Sequence, residues 1–132
     1  MSKANYLENA LLDHLFGRTT YTAPATLYIS LHTGDPGETG ANNEVTGNNY
    51  SRAAVTNSTG NFGSASGGSK TNAAEIQFAV PSGSWGTVTH FAIWDAASAG
   101  NCLYYGALTS AMAMGLNNDI KIAIGALTIS ED

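Results

Sequence analysis

The sequence predicts a mainly β protein: a jelly-roll-like antiparallel β-sandwich of six to seven strands with one N-terminal α-helix, in a single domain over residues 1–132. Three observations carry this prediction. Runs of β-branched, aromatic and alternating apolar residues recur along the chain, separated by clusters of Gly, Pro, Asn, Asp and Ser. Only residues 4–16 space their apolar side chains at helical intervals. Helical and strand patterns do not alternate, which argues against a parallel sheet. A chain of this length buries roughly two thirds of its unfolded surface, enough for a core. No internal repeat is evident.

The N-terminal helix is expected within residues 1–17. Tyr6, Leu7, Ala10, Leu11, His14 and Leu15 form one apolar stripe. Ser2 or Asn5 is placed to cap its start, with Glu8 three beyond Asn5 as in a capping box. Gly17 is placed to end it. So short a helix is marginal alone, so its stripe is expected to dock on the sheet or on a neighbouring subunit.

The first strand is expected over 25–32. Leu27, Ile29 and Leu31 share one face, and Thr26, Tyr28, Ser30 and His32 the other. Residues 33–49 read as a long loop opened by the turn Asp35-Pro36-Gly37 and ordered by a partner or exposed for function. A second strand follows over 50–56 with Ala53 and Val55 inward. Residues 57–72 are a second long polar loop around Phe62, mobile in isolation. Residues 75–80 alternate, with Ile76, Phe78 and Val80 inward.

The centre of the chain is a hairpin over residues 85–108. Thr87–Trp94 and Leu103–Leu108 flank the turn-forming stretch Asp95-Ala-Ala-Ser-Ala-Gly-Asn101. Thr87, Thr89, Phe91 and Ile93 fall on one face; Val88, His90, Ala92 and Trp94 fall on the other. Both faces are apolar, so the hairpin is expected to be covered on both sides, by a second sheet and by a helix or another subunit. Residues 110–118 read as an irregular crossing in which Met112 and Met114 fill gaps. The last strand is expected over 119–130, with Ile120, Ile122 and Ile124 on one face and a bulge at Gly125.

Composition narrows the function. The hydrophobic fraction of 43% is ordinary. The charged fraction of 11% is less than half the usual share of about 25%. Hydroxyls and amides desolvate at lower cost than ions, which suits repeated packing in an assembly. The net charge of −5, without a basic patch, excludes direct nucleic-acid binding as an expectation. No apolar run spans a membrane. Met-Ser-Lys-Ala-Asn leads into an amphipathic pattern, so a signal peptide is not expected. The one cysteine, Cys102, leaves no intrachain disulfide or multi-cysteine metal motif. It reads as a small buried residue.

Candidate chemistry is sparse. His14, His32 and His90 are the only histidines, and none lies in a nucleophile motif. They read as packing or hydrogen-bonding side chains. Asp35, Glu38, Asn42 and Glu44 could offer oxygens to calcium, but their spacing is not that of an EF-hand loop. Glu75 and Asp95 could pair as glycosidase acids only by chance. Trp85, Trp94, Tyr104 and Tyr105 could stack on sugars, although strand aromatics are more often core. No catalytic, cofactor or metal residue is expected.

Three segments carry a resemblance. They are ENALLDHLFGRTTYTAPATLYISLHTGDPGETGANNEVTGNNYSRAAV at 8–55, SWGTVTHFAIWDAASAGNCLYYGAL at 84–108 and IAIGALTIS at 122–130. They resemble the short structural proteins of tailed bacteriophages commonly labelled phage tail fibre proteins, a label that also covers capsid decoration or cement proteins. The resemblance implies a non-enzymatic virion component, made in the host cytoplasm and carrying no catalytic residues. Since the chain has no shaft-forming repeat or coiled coil, the leading expectation is a capsid decoration or cement protein. It would form a homotrimer on the head, with the major capsid protein as partner. The alternative is a tail fibre or baseplate component with tail proteins as partners.

Overall fold

The computed structural model describes residues 1–131. The mainly β, antiparallel class with one short N-terminal helix is observed. The elements are β1 (Ser2–Lys3), α1 (Asn5–Leu15), β2 (Thr26–His32), β3 (Ala53–Thr56), β4 (Ser69–Thr71), β5 (Ile76–Gln77), β6 (Gly86–Trp94), β7 (Cys102–Met114), β8 (Lys121–Ile122) and β9 (Thr128–Ser130). Five strands make one antiparallel sheet in the order β1-β7-β6-β2-β3. The rest form two two-stranded ladders, β4-β9 and β5-β8. The strands number more than six to seven because the expected last strand is split and two segments of two or three residues pair within stretches read as loop or lead-in.

The expected hairpin is the middle of the main sheet, β6 and β7. Its loop is closed by Asp95, whose carboxylate accepts from the Asn101 backbone N–H at 2.7 Å and from the Asn101 side chain at 2.9 Å. Both sheet faces are covered. On one, Ile29, Leu31, Ala53, Val55, Phe91 and Ile93 meet Phe62, Ile76, Phe78, Ile120 and Leu127 from the short ladders and their flanks. On the other, Ala92, Trp94 and Cys102 pack with Ala4 just before α1.

Several expectations are corrected. Val88 does not share a face with Trp94. The pairing jumps between Val88 and His90, and Val88 joins the Phe91–Ile93 core. The cause is β7, in which residues 108–111 stand against Thr89 alone between the pairs His90–Ala107 and Val88–Met112. Residues 109–114 thus continue the strand and are not an irregular crossing. Met114 is buried, but Met112 is exposed. Val80 and Ile124 are exposed too. After Ile120 the chain pairs at Lys121 and Ile122, turns, and pairs again only at Thr128–Ser130 against β4. The Ala126 N–H bonds Ala123 O and Gly125 takes φ +78°, so Gly125 serves a turn where a bulge was expected.

The two long loops are ordered by the chain itself. In 33–49, Asn42 N–H bonds Pro36 O, Gly40 N–H bonds Gly37 O and Val45 N–H bonds Leu31 O, folding the segment back along β2. Asp35 accepts from the Gly37 N–H at 2.8 Å, as its turn sequence requires. The segment 57–72 contains β4 and buries Phe62. At its end, buried Asn72 donates to Ala74 O and Ala123 O and accepts from Leu127 N–H.

The helix also departs from its pattern. Its cap residue is Ala4, which makes no side-chain cap bond, so neither Ser2 nor Asn5 caps it. Its C-terminus is as expected: Gly17 takes φ +81° and the Arg18 N–H reaches Asp13 O at 2.9 Å. Of the stripe, only Leu7 is buried.

Candidate functional site at the hairpin end of the sheet

Alternation along β2 places Tyr28, Ser30 and His32 on the face opposite Ile29 and Leu31. Register sets Ser30 across from Ala92 and Tyr28 across from Trp94. The 33–44 segment covers this face so closely that a Cβ on Gly40 would lie 2.7 Å from Cys102 Sγ and 2.8 Å from Trp94 Cζ2. Here a cluster of hydrogen-bonded polar side chains assembles.

His32 is fully buried. Its Nδ1 lies 2.7 Å from Asn42 O, an acceptor only, so Nδ1 carries the proton. Its Nε2, 2.7 Å from Ser30 Oγ, then accepts from that hydroxyl. Ser30 Oγ in turn accepts from Trp94 Nε1 at 2.8 Å. Burial lowers the His32 pKa, outweighing the Asn42 carbonyl and the Glu44 charge that favour protonation.

Arg52 joins the next layer. Its guanidinium lies 3.8 Å from the centroid of the Trp94 ring. Two of its nitrogens grip Glu44 at 2.9 Å each, and Nη1 donates to Ala96 O and Ala99 O at 3.0 Å in the hairpin loop. Tyr50 donates to Glu44 at 2.8 Å and accepts from the Leu31 N–H at 3.1 Å. Burial alone would raise the Glu44 carboxyl, but the bonds from Arg52 and Tyr50 bring it below the usual range. Burial pushes the Tyr50 hydroxyl well up. The chain Asn42–His32–Ser30–Trp94–Arg52–Glu44–Tyr50 thus ties the 33–44 segment, β2, the lead-in to β3 and the hairpin loop together.

The residues singled out from sequence scatter. Asp35 closes its own turn, Glu38 accepts from Tyr105 at 2.8 Å and Glu44 belongs to Arg52. Among the described residues no three of His, Cys, Asp or Glu converge on a metal position. Glu75 lies 3.7 Å from Lys121 in another layer from Asp95, which is spent on the hairpin loop. Trp85 and Trp94 are buried, so neither offers a face for sugar stacking. Tyr104 and Tyr105 are half-buried and hydrogen-bond Glu131 and Glu38. His14 is exposed and accepts from the Tyr21 N–H at 3.0 Å, and His90 lies 2.7 Å from Thr89 Oγ1. Cys102 is buried, and burial pushes its thiol up to about 12.

Sequence reasoning missed Arg52 and Ser30. The available signal was that Arg52 is one of only two arginines in a chain poor in charge. Every buried side-chain polar atom among the described residues has a partner. Ser30 and His32 are both buried and hydrogen-bonded to internal partners. The physical effect of the cluster is to lock the hairpin loop and the 33–49 segment into one rigid end surface.

No curated protein matches the chain. The family described as Podophage GP4 fiber I protein gp80 matches residues 2–130. The match spans the helix, the sheet and both short ladders, and agrees with the charge-poor composition and internally satisfied polar groups. The chain therefore belongs to the Podophage GP4 fiber I protein gp80 family and is a tail fibre-type structural protein of a bacteriophage virion.

Proposed function

We propose that the protein is a non-enzymatic subunit of the phage tail fibre apparatus, which builds or caps a fibre and takes part in host attachment. The observation that carries this reading is the fibre family match over residues 2–130, which shifts weight from the head to the tail. The locked end surface supports it, because a rigid loop platform presents a fixed shape to a partner at low ordering cost. The partners on this reading are copies of the chain itself, as a homotrimer, and tail or baseplate proteins.

Capsid decoration is the second reading. It is favoured by the compact fold, whose 11-residue helix and short strands provide no shaft. There the partner is the major capsid protein. Antibody-gold labelling of intact particles separates the two. Gold confined to the tail or its tip supports the fibre reading; gold spread over the head overturns it in favour of decoration.

A further inference from the structure

A hollow of about 460 Å³ lies against one face of α1. Tyr6, Asn9, Ala10 and Asp13 recur at three- and four-residue intervals and make its helical wall. The facing wall is the chain as it leaves the helix. Gly17 takes φ +81° and turns it back, Thr19 N–H bonds Asp13 O, and Tyr21 N–H bonds His14 Nδ1 at 3.0 Å. Residues 19–22 are thereby held beside the helix.

The volume falls within the roughly 300–1,000 Å³ of small-molecule sites, which are lined mostly by apolar side chains. This lining differs. Ala10 is its one aliphatic residue, among a carboxylate, an amide, three threonine hydroxyls and two tyrosines. Tyr6 is 43% exposed and Tyr21 is half-buried. Burial, then the neighbouring Tyr6 and Asp95, hold the Tyr21 hydroxyl above its ordinary range, so it stays a donor as well as an acceptor. A second hollow of about 190 Å³ meets the first at Tyr6, with Asn5, Glu38 and Thr39 in its wall. Neither hollow is lined by Lys or Arg.

The polar groups of the first hollow are also unspent. Asn48, Asn49, Asn57 and Asn61 donate their side-chain amides to backbone carbonyls. The side chains of Tyr6, Asn9 and Asp13 have no hydrogen-bond partner among the described residues.

This set of groups selects among ligands. An anion finds no cation in the walls. A metal ion finds too few ligands, since among the described residues no three of His, Cys, Asp or Glu converge. An apolar molecule would cover the carboxylate and hydroxyls without pairing them. A sugar satisfies all of them: its hydroxyls donate to a carboxylate and exchange bonds with amides and threonines, and its C–H face suits a tyrosine ring.

We infer that the hollow beside α1 is a binding site for a neutral oligosaccharide, with Asp13 and Asn9 taking sugar hydroxyls, Tyr6 taking the ring face, and the smaller hollow taking the next sugar unit. This supplies a ligand class for the host-attachment reading without resting on it.

The test uses the full chain on a glycan array of bacterial surface oligosaccharides, some neutral and some bearing uronates. Wild type should bind neutral members. Tyr6→Ala and Asp13→Asn, both at exposed positions, should leave circular dichroism unchanged. Each should weaken the binding about tenfold, the loss expected of one good contact. Tyr6→Phe, which keeps the ring, should retain most of it, and Met112→Ala, at an exposed position outside both hollows, all of it. Absence of any bound saccharide overturns the inference. So does a preference for uronates, or binding that survives both Tyr6→Ala and Asp13→Asn. Gold labelling reports location and the array reports the ligand, so either result can fail without the other.

Discussion

The guanidinium of Arg52 lies 3.8 Å from the ring centroid of Trp94, although 42 positions separate them in sequence. The same group pairs with Glu44, and its side chain is almost fully buried. Removing it takes the cationic partner from the Glu44 carboxylate, which keeps only the Tyr50 hydroxyl, and the donor from two hairpin-loop carbonyls. Arg52→Ala should therefore destabilise the fold by about 3 kcal/mol, the low end for a broken buried pair because the Glu44 side chain is 22% exposed. Arg52→Lys should recover only part of this, since an ammonium keeps the charge and loses the planar fork. Urea unfolding followed by tryptophan fluorescence checks both.

Gly40 and Gly47 make a controlled comparison. Both hold positive φ, +72° and +75°, but a Cβ at Gly40 would meet Cys102 and Trp94, while Gly47 has nothing within 4 Å. Gly47→Ala should cost roughly 1–2 kcal/mol, the strain of a left-handed backbone alone. Gly40→Ala should cost a further 1–3 kcal/mol or so from overpacking. Equal unfolding midpoints for the two variants would contradict the close seating of the 33–44 segment.

Acid should weaken the protein through His32 and Glu44. The His32 pKa is lowered on folding, so the unfolded chain binds the proton more readily. Stability is then complete above the unfolded value of about 6.5 and falls as pH drops below it. Glu44 is also lowered, so its contribution is present above its unfolded value and is lost as pH falls through the folded value. Urea midpoints measured from pH 8 to pH 5 should decline for wild type. They should decline less for His32→Asn, which has no imidazole to protonate.

Cys102 should be silent to thiol reagents in the folded state. It is buried and its thiol is held at about 12, so little thiolate forms at pH 8. Labelling by a chromogenic disulfide should track unfolding and become immediate in denaturant. Prompt stoichiometric labelling of native protein would contradict this burial.

The helix offers an internal contrast. Leu7→Ala should cost about 2–5 kcal/mol, as for other buried leucines. Leu15→Ala, at a position 72% exposed, should change the stability of the isolated subunit by less than about 0.5 kcal/mol. Thermal unfolding at low protein concentration keeps association out of the comparison.

Features that depend on neighbours along the chain were legible before any fold was known. Alternation set both faces of β2, the turn residues set the hairpin loop, and Gly17 and Asp35-Pro36-Gly37 set their turns, because φ preference and side-chain period act over a few residues. The family resemblance was legible for the same reason, in contiguous segments. Which apolar residues are covered depends instead on long-range packing. Leu7 and Leu15 sit on one helical stripe, yet only Leu7 is buried, because docking needs a surface that sequence spacing does not supply. Phe91 and Val88 differ in parity, yet share a core, because the register jump is settled by what β7 can pair with across the sheet. Arg52, Glu44, Trp94 and His32 meet because the 33–44 segment and the hairpin loop fold onto one face. That is a long-range choice, fixed when buried polar groups must find partners that the local chain cannot provide.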